Sequence, residues 1–178
     1  DDVREALEQE LKLPDYDVTH AMMLADIYRG RPIAIKNEQR EKLATKLLDR
    51  VVTERAQDPM TWLARFHYRA TAKTPDPEKI KGDLTQAVEL AKKQPLNPAS
   101  ATVLVTAAGY KQEHLDPKEA AALLQQAIGI APRDSRAYLM LADLTRNTRP
   151  KDSPYEANGI ARKGIDATGT NNPSLSLP

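Results

Sequence analysis

The chain has 178 residues, of which 40% are hydrophobic and 29% are charged, and its 26 basic and 25 acidic side chains leave a net charge of +1. Proteins that grip nucleic acid over a broad surface usually carry a basic excess, so no nucleic-acid partner is expected. With no cysteine, the chain forms neither disulfides nor thiolate metal sites. This leaves its cellular compartment open. No apolar run approaches the ~20 residues that cross a bilayer, so no membrane segment is expected.

The chain opens with a predicted leading helix over residues 2–13, in which apolar residues recur every four positions before Pro14. Asp17 or Thr19 can cap the next helix, which stops at Gly30. A loop and a second, longer helix to about residue 57 complete the first predicted pair, over 17–57.

Three further helix pairs follow the first. They occupy residues 59–94, 98–131 and 134–168. Asp58 stands directly before Pro59, and this combination of a capping residue with a proline in the first turn marks a helix start. Residues 169–178 show no helical period and are predicted to form an extended tail. Its leucines, Leu175 and Leu177, are expected to dock on a repeat surface.

The clearest helix pair lies between residues 120 and 144. Ala120, Leu124 and Ala127 recur at i, i+4 and i+7, and Pro132 ends their helix. The small side chains let two helix backbones approach closely. Because so short a pair cannot bury its apolar stripe alone, neighbours of the same shape are expected along the chain.

Copies of the second helix of this pair are visible upstream. MLADL at 140–144 is matched by MLADI at 23–27, by WLARF at 62–66 and, more loosely, by 103–110. Their small residues, Ala25, Ala64, Ala107 and Ala142, are 39, 43 and 35 residues apart. The uneven distances indicate repeats that carry insertions.

The pattern A-x3-L-x2-A-x4-P from Ala120 to Pro132, followed by Tyr138, Leu141 and Ala142, resembles the tetratricopeptide repeat in a degenerate, bacterial-type form. That family repeats every ~34 residues as a helix pair. The resemblance implies an all-α, right-handed superhelical α-solenoid of about four helix pairs plus the leading helix. It also implies that the first helix of each pair lines a concave groove that binds a peptide or a partner protein.

The resemblance further implies which side chains face that groove, at fixed distances beyond the first signature position of each first helix. The resulting peptide-binding candidates are Met22, Asp26, Arg29, His67, Leu104, Lys111, Leu139, Asp143 and Arg146. Three of them, Met22, Leu104 and Leu139, would form an apolar floor. The cations would meet acidic groups of the partner. The place of His67 in this set depends on the alignment of the second pair, and Arg65 and Arg69 join it only if that alignment allows.

A simpler interpretation of two of these pairs stays open. Asp26 with Arg29, and Asp143 with Arg146, stand at i, i+3, where a surface ion pair stabilises a helix by about 0.2–0.5 kcal/mol. The family's lysine and asparagine clamp for a terminal carboxylate is not expected, because the matching positions hold Met22, Leu104, Leu139 and Asp26.

No motif in the sequence indicates catalysis. Walker, dinucleotide, nucleophile-elbow and zinc-protease patterns do not occur. The three histidines stand on separate elements, so no metal site and no cofactor is expected. The predicted function is a protein-interaction module. The alternatives are a structural segment of a longer repeat scaffold that associates through its ends or its tail, an RNA-binding helical repeat, or an accessory domain of an enzyme.

Overall fold

A computed structural model describes residues 2–30, 37–114, 116–148 and 153–169. Within these ranges the chain forms nine α-helices and no strand, which confirms the all-α prediction. The helices are α1 (Asp2–Glu10), α2 (Val18–Gly30), α3 (Asn37–Glu54), α4 (Pro59–Ala70), α5 (Pro77–Lys93), α6 (Pro98–Glu113), α7 (Pro117–Ile130), α8 (Ser135–Thr148) and α9 (Ser153–Thr168).

The observed helix ends differ from the predicted ones by a few residues. The leading helix ends at Glu10 instead of residue 13, because the chain tightens into three-residue turns, with Lys12 N–H donating to the Gln9 carbonyl at 3.1 Å. The loop predicted after Gly30 and the tail predicted beyond Gly169 lie outside the described residues, together with Leu175 and Leu177.

The even-numbered helices begin with the same local structure. An aspartate or asparagine precedes each one, and its side-chain oxygen accepts a hydrogen bond from the backbone N–H two residues later. The pairs are Asp17 with Thr19 at 2.7 Å, Asp58 with Met60 at 2.9 Å, Asn97 with Ala99 at 3.0 Å and Asp134 with Arg136 at 3.0 Å. These caps are 41, 39 and 37 residues apart. They satisfy amides that the first turn leaves unpaired.

Two odd-numbered helices use a different cap. At α5 and α7 the aspartate accepts from the N–H three residues later, from Lys79 to Asp76 at 3.3 Å and from Glu119 to Asp116 at 3.2 Å. The alternation shows that the chain repeats two kinds of helix start.

A buried hydroxyl group strengthens the starts of α4 and α6. Thr61 and Ser100, each the third residue of its helix, are 0% exposed. Thr61 donates to the Arg55 carbonyl at 3.2 Å, and Ser100 donates to the Gln94 carbonyl at 2.9 Å. Each bond joins a helix start to the end of the preceding helix, so the corner between them is fixed.

The helices belong to two compact units, residues 1–90 and 91–178, and the boundary falls inside α5. In the first unit, α1 packs on α2, and α2, α3 and α4 pack on one another. Their core is built mainly from leucine, valine and alanine, with Leu48, Val51 and Ala44 among its least exposed members.

The leading helix is held to α2 by polar contacts as well. The Tyr28 hydroxyl donates to Glu8 at 2.7 Å, and the His20 imidazole lies 2.5 Å from a Glu10 carboxylate oxygen. Hydrogen bonding to Glu8 and burial raise the pKa of Tyr28 to about 12, with burial the larger cause.

In the second unit, α6 packs on α7 and α8, α7 packs on α8, and α8 packs on α9. Leu104, Leu123 and Leu124 are fully buried there. Gly164 of α9 lies so close to α8 that a Cβ atom at this position would be 2.8 Å from the Cβ atom of Tyr138. The glycine therefore permits the close packing of the last two helices. Among the described helices, none has the length and apolarity to cross a membrane.

Candidate functional site

Three of the predicted site residues come together in the first unit. Met22 and Asp26 from α2 and His67 from α4 line one cleft of about 130 Å³, together with Tyr68 and Thr71. We call it the small cleft. Met22 is partly buried and packs on the core, whereas Asp26 and His67 are exposed. The cleft thus combines an apolar floor with polar walls.

The surroundings of His67 lower its pKa and so favour the neutral imidazole. Neighbouring protein atoms partly shield the ring from water, and this desolvation lowers the pKa of His67 from its usual 6.5. The carboxylate of Asp26 acts in the opposite direction but is the smaller cause. The Phe66 ring meets the imidazole edge to face, with centroids 5.2 Å apart. A neutral imidazole can both donate and accept a hydrogen bond.

The i, i+3 spacing allows an ion pair between Asp26 and Arg29, but the Arg29 side chain turns to α4 instead. Its guanidinium lies 3.7 Å from the centroid of the Tyr68 ring, and it donates hydrogen bonds to the Tyr68 carbonyl and the Thr71 hydroxyl. It lines a second and larger cleft of about 590 Å³. Tyr68 and Thr71 line both clefts, so the two are neighbours.

Arg65 and Arg69 point away from the small cleft and hold a charge cluster. The Asp83 carboxylate of α5 forms ion pairs with Arg65 Nη2 and Arg69 Nη1, each with a nitrogen–oxygen distance of 2.8 Å. The Asp49 carboxylate of α3 pairs with Arg65 Nη1, also at 2.8 Å. The Asp83 side chain is only 3% exposed. Burial acts to lower the pKa of Arg65, but its bonds to Asp83 and Asp49 outweigh burial and raise it.

Asp83 is not among the residues predicted from the sequence, although its position carries a signal. Asp83 stands on the apolar face of α5, three residues after Ile80 and next to Leu84, and both leucine and isoleucine are buried. A carboxylate on a core-facing stripe requires a cationic partner.

In the second unit, Leu139, Asp143 and Arg146 lie on one side of α8 at i, i+4 and i+7. Arg146 forms the i, i+3 ion pair with Asp143 at 3.5 Å, and both side chains are more than half exposed. Asp143 and Arg146 therefore form the surface ion pair within one helix that their spacing allows. Leu139 is partly buried.

The placement of Leu104 in the groove floor is corrected by the structure. Leu104 is 0% exposed and belongs to the core, so its side chain cannot contact a ligand. Lys111 directs its ammonium to Glu119 of α7 at 2.6 Å, and this hydrogen bond raises the pKa of Lys111. Both residues were predicted by counting from Val103 as the first signature position of this helix.

The helix caps explain why Leu104 and Lys111 were misplaced. They give each even-numbered helix the same reference residue, from which equivalent positions can be counted. Nine residues after the four caps stand Asp26, His67, Thr106 and Asp143. Five residues after them stand Met22, Leu63, Thr102 and Leu139. His67 therefore occupies the same helix position as Asp26. In α6 the equivalent residues are the partly exposed Thr102 and Thr106, two residues from where the sequence alignment placed this surface.

In the part of the chain that the structure describes, no three histidine or acidic side chains are grouped as a metal site would require. No known family model matches the chain, and no curated protein sequence is significantly similar to it.

Proposed function

We propose that this chain is a protein-interaction module built from tetratricopeptide-like helix pairs, and that the small cleft binds a segment of a partner polypeptide. The observation that carries the proposal is the convergence of Met22, Asp26 and His67. They come from two different helices, and none of the three is among the fully buried core residues. The shared caps at regular distances support the repeat relationship. We further propose that the helix pairs stack into a right-handed superhelix, which an experimental structure of the whole chain would test.

The chemistry of the small cleft favours an amphipathic segment. An apolar side chain of the partner can lie on Met22, while its backbone or a basic group meets Asp26 and the neutral His67. Burial of one apolar side chain contributes about 1.5–3 kcal/mol, and ordering of the segment offsets part of it. The expected dissociation constant is on the order of micromolar.

Peptide display against the intact chain tests this function. A selected peptide, labelled with a fluorophore, is titrated with the wild-type chain and with Met22→Gln and His67→Gln variants. Each substitution should weaken binding roughly tenfold, because each removes a contact of the buried part of the segment.

Met23→Gln is the matched control, since Met23 is the next residue of α2, is 46% exposed and does not line the cleft. Equal affinities for all four chains would reject the small cleft as the binding site. Thermal unfolding by circular dichroism verifies that the variants are folded.

One observation favours a second candidate function, a structural segment that associates with copies of itself or with further repeats. Tyr155 on α9 is 91% exposed and Val3 on α1 is 54% exposed. Large apolar side chains on terminal helices are typical of surfaces that pack against another repeat. This function predicts an association that requires Tyr155.

A further inference from the structure

The third residue of the even-numbered helices is titratable in α2 alone. In α4 and α6 it is the buried Thr61 or Ser100, whose hydroxyl donates to a backbone carbonyl just after the preceding helix. In α8 it is Ala137, which is 0% exposed. In α2 it is His20, whose ring meets the Glu10 carboxylate at the end of α1. The start of α2 is therefore joined to the preceding helix by a contact that depends on protonation.

The strength of this contact depends on the charge of the imidazole. Nδ1 of His20 lies 2.5 Å from a Glu10 carboxylate oxygen, and 38% of the His20 side chain is exposed, so the ring can exchange protons with water. A protonated ring always donates through Nδ1 and forms an ion pair with the carboxylate. A neutral ring donates there in only one of its two tautomers, and without a charge.

The charged groups around His20 favour its protonated form. The hydrogen bond with Glu10 is the largest cause and raises the pKa of His20, while desolvation opposes it. Asp17, at the cap of α2, acts in the same direction as Glu10. Arg55, which follows α3, acts on Asp17. Acidic groups from α1 and from the start of α2 therefore set the titration of this histidine.

The other attachments of α1 to α2 do not titrate near neutral pH. Leu7 is the buried residue of α1, and Leu11, just beyond the helix, is 5% exposed. Tyr28 donates to Glu8 at 2.7 Å, and its pKa of about 12 keeps its hydroxyl protonated. Because the apolar contact of α1 is small, the loss of one polar contact should measurably weaken its attachment.

The corner after α1 is fastened separately, to α3 and the residues that follow it. Arg50 donates to the Leu11 carbonyl at 3.0 Å, and Arg55 donates to the Pro14 carbonyl at 3.2 Å. Arginine does not lose its proton in proteins. A movement of α1 would therefore leave this corner in place.

We propose that pH controls how firmly α1 closes against α2, through the contact between His20 and Glu10. The contact is strongest while His20 is protonated, and it weakens as pH rises through the folded pKa of His20, which lies above the unfolded value near 6.5. The leading helix also forms one wall of a cleft of about 350 Å³, whose other walls include Leu24, Leu43 and Leu47. Rising pH thus makes an apolar surface of the first unit more accessible.

Hydrogen exchange of the full chain, followed by mass spectrometry between about pH 5.5 and pH 8.5, tests this device. Rates are corrected for the intrinsic pH dependence of exchange, and the protection of α1 is divided by that of α3, so that effects on the whole first unit cancel. This ratio should fall about twofold to fivefold from the acidic to the alkaline end, as for one partly exposed ion pair.

Four variants identify the source of the effect. His20→Gln and Glu10→Gln should each remove the pH dependence, because neither chain can form the ion pair. Glu5→Gln takes the same charge from α1 and should keep the pH dependence, since Glu5 pairs with Arg4 of its own helix at 3.3 Å. Tyr28→Phe should lower the protection of α1 at every pH without changing its pH dependence.

Several results would overturn the inference. One is a protection ratio that stays constant with pH in the wild-type chain. Others are a pH dependence that survives Glu10→Gln or that disappears in Glu5→Gln. Loss of the pH dependence in His67→Gln would also reject it, because the effect would then belong to the small cleft.

Discussion

At Asp83, a carboxylate pairs with two arginines in a place where water has little access, and the more exposed Asp49 contacts the same two arginines. Its side chain is 3% exposed, and those of Arg65 and Arg69 are 15% and 23% exposed. Removing one member of such a cluster leaves the others desolvated and incompletely paired.

We therefore expect Asp83→Ala to lower the free energy of unfolding by about 3 kcal/mol. Asp49→Ala is the internal comparison, because the Asp49 side chain contacts the same arginines but is 49% exposed. It should cost less than about 1 kcal/mol. Urea denaturation at neutral pH measures both values, and similar costs for the two substitutions would contradict the role given to burial.

His67 predicts a pH effect of definite sign. Desolvation lowers the pKa of His67 in the folded chain below its unfolded value near 6.5, so the unfolded state takes up the proton more readily. The free energy of unfolding should fall as pH decreases from about 6.5 through the folded pKa. In His67→Gln this part of the decline should disappear.

His20→Gln provides a comparison of opposite sign. The hydrogen bond with Glu10 raises the pKa of His20, so its stabilising contribution is present below the unfolded pKa and is lost as pH rises through the folded one. Denaturation curves between about pH 5 and pH 8 distinguish the two histidines. Parallel curves for both variants would refute the assignment.

At the scale of the helix, α9 contains two glycines in opposite surroundings. A Cβ atom at Gly164 would overlap the Cβ atom of Tyr138, which cannot move without α8, whereas a Cβ atom at Gly159 meets open space. Gly164→Ala should cost about 1–3 kcal/mol through overpacking.

Gly159→Ala should instead stabilise the chain by about 0.5–1 kcal/mol, because alanine has the higher helix propensity. Melting temperatures of the two variants check the pair of values. The prediction fails if the two alanines shift the melting temperature in the same direction.

The starts of several helices could be predicted from the sequence, whereas the exposed face of α6 could not. Asp58 before Pro59 and Asp116 before Pro117 are local signals, and both act as caps in the structure. In α6, by contrast, buried residues surround most of the helix, from Ala101 to Ala108. Because α6 carries apolar side chains on nearly every side, its sequence does not indicate which face is exposed. The alignment therefore placed the groove positions of α6 two residues too far along the helix.

The clefts depend on contacts between distant parts of the chain. Arg29 meets Tyr68 39 residues away, and Arg65 meets Asp83 18 residues away. From the sequence, Arg29 was expected to be a cation of the groove, and Arg65 was expected there only if the alignment of the second pair allowed it. Only the packing of α4 on α2 and beside α5 separates the cation that faces a cleft from the one that is buried in an ion cluster.

At the scale of the whole molecule, the exposed side chains of the first and last described helices predict weak self-association. Tyr155 is 91% exposed, and its ring is large enough to anchor a small interface. Sedimentation velocity at increasing concentration should show a reversible dimer of micromolar or weaker affinity for the wild-type chain.

Tyr155→Ser should remove this dimer, whereas Met23→Ser, which alters an exposed apolar residue of α2, should retain it. A chain that stays monomeric at all concentrations would argue against the structural-segment function.

The dependence of two arginines on Asp83 also limits how this sequence can evolve. A substitution at position 83 alone leaves two partly buried arginines with only the exposed carboxylate of Asp49, and loss of either arginine alone leaves the cluster unbalanced. Orthologues should therefore keep all three residues or replace them as a set, with an aliphatic residue at 83 accompanied by uncharged residues at 65 and 69. Such covariation across an alignment would show that the three residues of the ion cluster are conserved or replaced together.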